Sequence, residues 1–175
     1  VATRDDNLTF EDARIIFRNF EGRKTMYNDE GKRNFSLVLS PEQWEDLKVD
    51  GWNVKDKPGR EEGDDPLFHL PVTVSFRGKR PPRLVLLTSR GRNTLDESTA
   101  LMIDWADIEK VDLIVRPYDW EVSGKTGRKA YLVAIYVTIH EDALELKYAD
   151  IEEIGSRQDE PEEYTEFVGD EDGFR

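Results

Sequence analysis

In several separate segments the chain sets an arginine or lysine beside an aromatic residue. Arg18 and Phe20 share one parity of an early run, Tyr27 and Arg33 flank a charged turn with Asn34 beside it, and Trp52 precedes Lys55. Arg116, Tyr118 and Trp120 share a parity of a later run, and Lys125, Arg128, Lys129 and Tyr131 follow it. Cations can follow phosphates, and exposed rings offer faces on which bases stack at about 1–3 kcal/mol per base. Together these are the ingredients for holding a single nucleic-acid strand. For any one ring, burial in a core is an equally good expectation, because most strand aromatics pack inward. Phe35, Phe76 and Trp44 are assigned to the core on that ground, and the recurrence of a cation on the same face carries the binding argument.

Other chemistries find less support. Cysteine is absent, and His69 and His140 are the only histidines, far apart in the chain, so no thiolate nucleophile or Cys-type zinc site exists and no cofactor is expected. Gly124-Lys125-Thr126 has the end of a phosphate-binding P-loop, but Asp119 stands where the first glycine is required and the tripeptide lies between two strands. A metal-dependent nuclease would need carboxylates that converge, for instance Asp104, Asp107 and Asp112, or Glu145 beside Lys147. Solvated surface acids are the simpler expectation for these, and no enzyme activity is expected.

The elements that must position the cations and rings are mostly strands. Ala13 to Phe20 alternates, with Arg14, Ile16, Arg18 and Phe20 on one face and Ala13, Ile15 and Phe17 on the other. Asn34 to Leu39 resumes as a strand with Phe35, Leu37 and Leu39 inward. Ser40-Pro41-Glu42-Gln43 is a capping box that starts a short helix running to about Val49 and stopping at Gly51. A brief strand at Trp52–Lys55 and a Pro- and Gly-containing loop over 56–66 follow. Leu70 to Phe76 and Arg83 to Thr88 read as strands, and Thr94 to Ala106 as a helical turn or two. Val111 to Val122 and Ala130 to Ile139 form a long hairpin whose basic tip spans 123–129. Short strands with brief helices point to a mainly β barrel or sandwich.

The net charge of −13 hides an asymmetry. Residues 151–175 carry ten acids against Arg157 and Arg175, whereas no Asp or Glu lies between Asp65 and Asp96, where Arg77, Lys79, Arg80, Arg83, Arg90 and Arg92 fall. A basic segment keeps its local field because salt screens distant charge over about 8–10 Å. The expected organisation is an N-terminal extension over 1–12, one folded domain over 13–150, and a disordered acidic tail over 151–175. Within the tail, Tyr164, Phe167 and Phe174 sit among acids that include Asp170, Glu171 and Asp172, giving a partner something to bury and the groove an anionic competitor. No stretch approaches the roughly 18 apolar residues of a membrane span, so a soluble, cytoplasmic protein is expected.

Several stretches together resemble phage-encoded single-stranded DNA-binding proteins. They are Phe17-Arg-Asn-Phe20, Tyr27-Asn28, Gly31-Lys-Arg-Asn-Phe35, Asp50-Gly-Trp-Asn-Val-Lys55, Asp112-Leu-Ile-Val-Arg-Pro-Tyr-Asp-Trp120 and Gly124-Lys-Thr-Gly-Arg-Lys-Ala-Tyr-Leu132, within a likeness spanning about Ile15 to Tyr148. The resemblance implies an OB-fold-like β-barrel that coats single-stranded DNA during phage replication or recombination, without sequence preference and often as a homo-oligomer, in the host cytoplasm. It also implies an acidic tail that recruits replication proteins. Tails of that kind commonly finish on an aromatic residue, whereas this one finishes on Arg175 after Phe174. Two rival expectations remain: an acidic DNA mimic that occupies a nucleic-acid-binding partner, and the metal-dependent nuclease.

Overall fold

The computed structural model describes residues 6–148 together with 150 and 151. The chain divides into two compact units, Val1–His140 and Glu141–Arg175. Among the described residues of the second is the short helix α3 (Ala143–Tyr148). The division falls before residue 150, where the sequence pattern suggested the end of the folded domain.

The first unit runs β1 (Leu8–Ala13), β2 (Ile15–Asn19), β3 (Arg33–Leu39), α1 (Pro41–Val49), β4 (Lys55–Lys57), β5 (Leu67–Val74), β6 (Arg83–Thr88), β7 (Gly91–Leu95), α2 (Met102–Trp105), β8 (Ile108–Val122) and β9 (Lys125–Ile139). Strand β1 lies where an N-terminal extension was expected, and it pairs antiparallel with β8 from Leu8↔Val115 onward. The hydrogen-bonded order is β1-β8-β9-β5-β3-β2, with β4 added to β5 and the β6–β7 hairpin added to β9.

This path is not closed by a ladder between its ends. β1 and β2 are instead successive halves of one bent segment that breaks at Arg14, whose carbonyl accepts from Val38 N at 2.9 Å. One half pairs with β8 and the other with β3, so the chain itself joins the two ends of the sheet. β5 and β9 pair in parallel through Val72↔Ala130 and Thr73↔Tyr131. The architecture is therefore a partly open barrel of the OB type, in keeping with the OB-fold-like β-barrel that the resemblance implied.

Alternation along the strands fills the barrel. Phe35, Leu37, Leu70, Val72, Leu84, Val111, Leu113, Val115, Ile135 and Val137 are all buried in one apolar cluster. Ile103 of α2 is fully buried within it. The capping box forms as the sequence requires: Gln43 N donates to Ser40 Oγ at 3.1 Å and Ser40 N donates to Gln43 Oε1 at 3.0 Å. The helix ends where Gly51 takes a φ of 87°, a left-handed conformation that costs a glycine little.

Two local expectations shift. The short strand is β4 at Lys55–Lys57, while Trp52 makes only an isolated bridge to Arg128. The β8–β9 ladder continues to Val122↔Lys125 and turns through Ser123 and Gly124, whose φ values of 51° and 76° suit a two-residue hairpin turn. Lys125, Arg128 and Lys129 thus belong to a strand, not to a loose basic tip.

Candidate nucleic-acid interface

Residues paired directly across a sheet share a face, and the registers set one row across four strands and the end of a fifth. Arg116 of β8 faces Tyr131 of β9, Tyr131 faces Thr73 of β5, Thr73 faces Asn34 of β3, and Asn34 faces Asn19 of β2. The adjacent row, Pro117, Ala130, Val72 and Phe35, points into the barrel and is buried. The first row is therefore the outer face.

On that face the Arg116 guanidinium stacks over the Tyr131 ring at 4.8 Å from its centroid. Tyr118, half exposed, meets Tyr131 edge-on at 5.5 Å. Lys129 is opposite Tyr118 in the ladder and exposed. These four residues were expected at the site, and the hairpin brings them together.

The same face continues into a groove of about 880 Å³ lined by Arg80, Arg83, Arg116, Tyr118 and Tyr136 among others. Arg83 Nη1 approaches Tyr136 Oη at 3.3 Å. Sequence reasoning did not place these three new residues, although Arg80 and Arg83 lie in the acid-free stretch. Tyr136 was hidden by irregular register: Ile114 pairs with Ala134 but Val115 with Leu132, so an extra residue in β9 puts Tyr131 and Tyr136, five positions apart, on one face.

Other expected contacts have structural duties instead. Phe20 is fully buried and stacks on Phe35 at 5.1 Å, so it offers no face to a base. Trp52 is 4% exposed and its indole Nε1 donates to Asp50 Oδ2 at 2.9 Å. Arg18 donates from Nη1 to the carbonyls of Ile103 and Ala106 at 2.8 and 2.9 Å, tying α2 to β2. Arg33 donates to the Phe20 and Glu21 carbonyls and lies 3.5 Å from Glu97. Asn34 donates to Asn28 Oδ1 at 2.9 Å, and Asn28 in turn ties down the Arg23, Asp29 and Lys32 carbonyls. Trp120 is half-buried against Gly127, where a Cβ would meet its ring at 2.5 Å.

Tyr27, Lys55 and Lys125 remain exposed, Tyr27 almost wholly so in the β2–β3 loop. Arg128 clamps the hairpin to the turn after α1, through Asp119 at 2.7 Å and Asp50 at 3.0 Å. Hydrogen bonding from Arg128 holds the Asp119 carboxyl below the usual carboxylate range. The tail residues Tyr164, Phe167, Asp170, Glu171, Asp172 and Phe174 lie outside the described residues.

Two of the acids considered for a nuclease, Asp104 and Asp112, are occupied locally. Asp104 accepts from the backbone amides of Phe20 and Glu21 at 2.8 and 3.0 Å, and Asp112 accepts from Asp12 N at 2.8 Å. Among the described residues no cluster of His, Cys, Asp or Glu is arranged to hold a metal ion, and no helix is long and apolar enough to cross a membrane.

A partly open barrel with rings and cations across its outer face defines an OB-type nucleic-acid-binding module. The family model described as "Putative phage ssDNA-binding domain" matches residues 1–172, and the chain belongs to that family. Its fold is similar to the single-stranded DNA-binding protein from bacteriophage Enc34, with a TM-score of 0.52 at 11% identity over 79% of this chain and 84% of that one. The Enc34 protein in complex with ssDNA is matched with the same TM-score and identity, over 79% of this chain and 89% of that one. No curated protein matches the sequence.

Proposed function

We propose that the protein binds single-stranded DNA without sequence preference during phage replication or recombination in the host cytoplasm, as a stoichiometric coat with no catalytic step. The observation that carries this function is the group formed by Arg116, Tyr131 and Tyr118 on the outer face, continuous with the groove that holds Arg80 and Arg83. Guanidinium groups there meet phosphates, and the tyrosine rings stack on bases, which all share a π-face. Family membership and a relative of the same fold that is complexed with ssDNA support the same assignment. A DNA mimic would need this face to be acidic, whereas Arg80, Arg83, Arg116 and Lys129 lie on it. The acidic segment over 151–175 acts as the recruiting or competing element, supported by its charge and by Tyr164, Phe167 and Phe174.

Fluorescein-labelled oligo-dT titrated with the protein at two salt concentrations tests the proposal. Binding at low salt that weakens steeply as salt rises is expected, because phosphate contacts release counterions. No binding at low salt refutes it.

A further inference from the structure

Resting on the DNA-binding function proposed above, we propose that Phe17 is a second base-stacking platform on the outer face, with Lys57 as its phosphate contact. Along an unbroken strand Phe17 would point into the barrel beside Ile15, which opposes buried Leu37. The β2–β3 register instead jumps between Ile16↔Ser36 and Asn19↔Asn34, so the strand carries an extra residue. Phe17 takes a φ of 54°, a left-handed conformation that a bulky side chain rarely adopts. A β-bulge re-aims side chains, and this one turns the largest apolar group of the segment outward, leaving it 55% exposed. Strain that exposes a ring at the cost of burial is a feature to be explained by function.

The surroundings fit a nucleotide. Phe17 stands edge-on to His69 at 5.8 Å, and His69 is fixed from behind by a 3.1 Å hydrogen bond between its Nδ1 and Ser36 Oγ. One side of the ring is thus braced. Lys57 Nζ lies 5.6 Å from the Phe17 centroid, and Lys55 pairs with His69 on the same strand edge. Neither lysine has an ion-pair partner among the described residues. His69 and Thr73 lie on the same face of β5, four residues apart, which places this station about 13 Å along the strand from the Tyr131 row. A strand crossing the sheet from Tyr118 and Tyr131 toward β4 would meet a ring at each end.

Oligo-dT and an abasic oligonucleotide of the same length, titrated against wild type, Phe17→Leu and Phe17→Tyr, test this. The expected result is a wild-type preference for oligo-dT that falls about tenfold in F17L and is kept in F17Y. Lys57→Gln, an exposed change without consequence for folding, should reduce the slope of log affinity against log salt by about one. If wild type binds but F17L retains the full preference and K57Q the full slope, the platform is refuted while DNA binding stands. If wild type binds neither oligonucleotide, the function itself falls and the platform with it.

Discussion

The Arg116 guanidinium carbon lies over the Tyr131 ring at 4.8 Å from its centroid, across the β8–β9 ladder from which both project. The contact holds a guanidinium against the ring and restricts both side chains. Tyr118 closes the group from the side at 5.5 Å. The cation and the two rings are thus set before DNA arrives, so less conformational freedom is lost on binding.

Tyr131→Leu should weaken oligo-dT binding about tenfold, and Arg116→Gln should lower the salt slope by about one. Residues in contact do not act independently, so the double variant should lose less than the two single losses combined. Strict additivity in a double-mutant cycle would show that the pair does not act as one contact.

Arg18→Ala should affect folding and spare DNA. Its side chain holds two backbone carbonyls beside α2, and losing hydrogen bonds from a charged donor should cost about 2 kcal/mol of unfolding free energy. Urea denaturation reports that loss. A reduced salt slope for a folded R18A protein would return Arg18 to the DNA contacts.

Gly127→Ala should displace Trp120, because the added Cβ would sit 2.5 Å from the ring. Overpacking of this kind costs about 1–3 kcal/mol, and the indole resonance of Trp120 should shift while that of Trp44 stays in place. An unmoved Trp120 resonance would contradict the close packing of the hairpin.

His69 should make stability sensitive to mild acid. Burial first, then the nearby Lys55 and Lys57, lower its pKa below the ordinary 6.5, with Asp56 opposing them. Between that value and the lower folded one, the unfolded chain binds more protons, so stability is full above about pH 7 and declines as pH falls through the window. The urea midpoint of His69→Gln should change less between pH 7.5 and 5.5 than that of wild type. Equal pH dependence in the two proteins would rule out His69 as the source.

Some of the architecture was legible because its signals are local. The capping box at Ser40 and Gln43 needs only neighbouring groups, and β5 alternates from Leu70 to Val74 without interruption. The β8–β9 hairpin announces itself by two apolar runs around Gly124. Arg116, Tyr118, Lys129 and Tyr131 were placed together for the same reason, since regular strands on either side of a tight turn fix which side chains share a face.

The early strand shows where local reasoning stops. Regular alternation from Ala13 to Phe20 puts Phe20 outside and Phe17 inside, and a single extra residue reverses both. No nearby residue type marks the bulge, because it arises from how β2 must meet β3 at one end and lead into the segment paired with β8 at the other. The internal hydrogen bonds of Trp52, Arg18 and Arg33 escaped local reasoning for a related reason. An aromatic or cationic side chain reads alike in sequence whether it meets a base, a phosphate or a distant backbone carbonyl.

By itself, then, the sequence determined a mainly β chain with an acid-rich end, a capped helix, a long hairpin and a surplus of cations next to rings, because each depends on residues close together along the chain. Only the tertiary structure decided which rings face outward and which arginines are free. Those outcomes depend on strand register and on carbonyls supplied from as far away as Ile103 and Ala106 to Arg18, and local pattern carries no record of either.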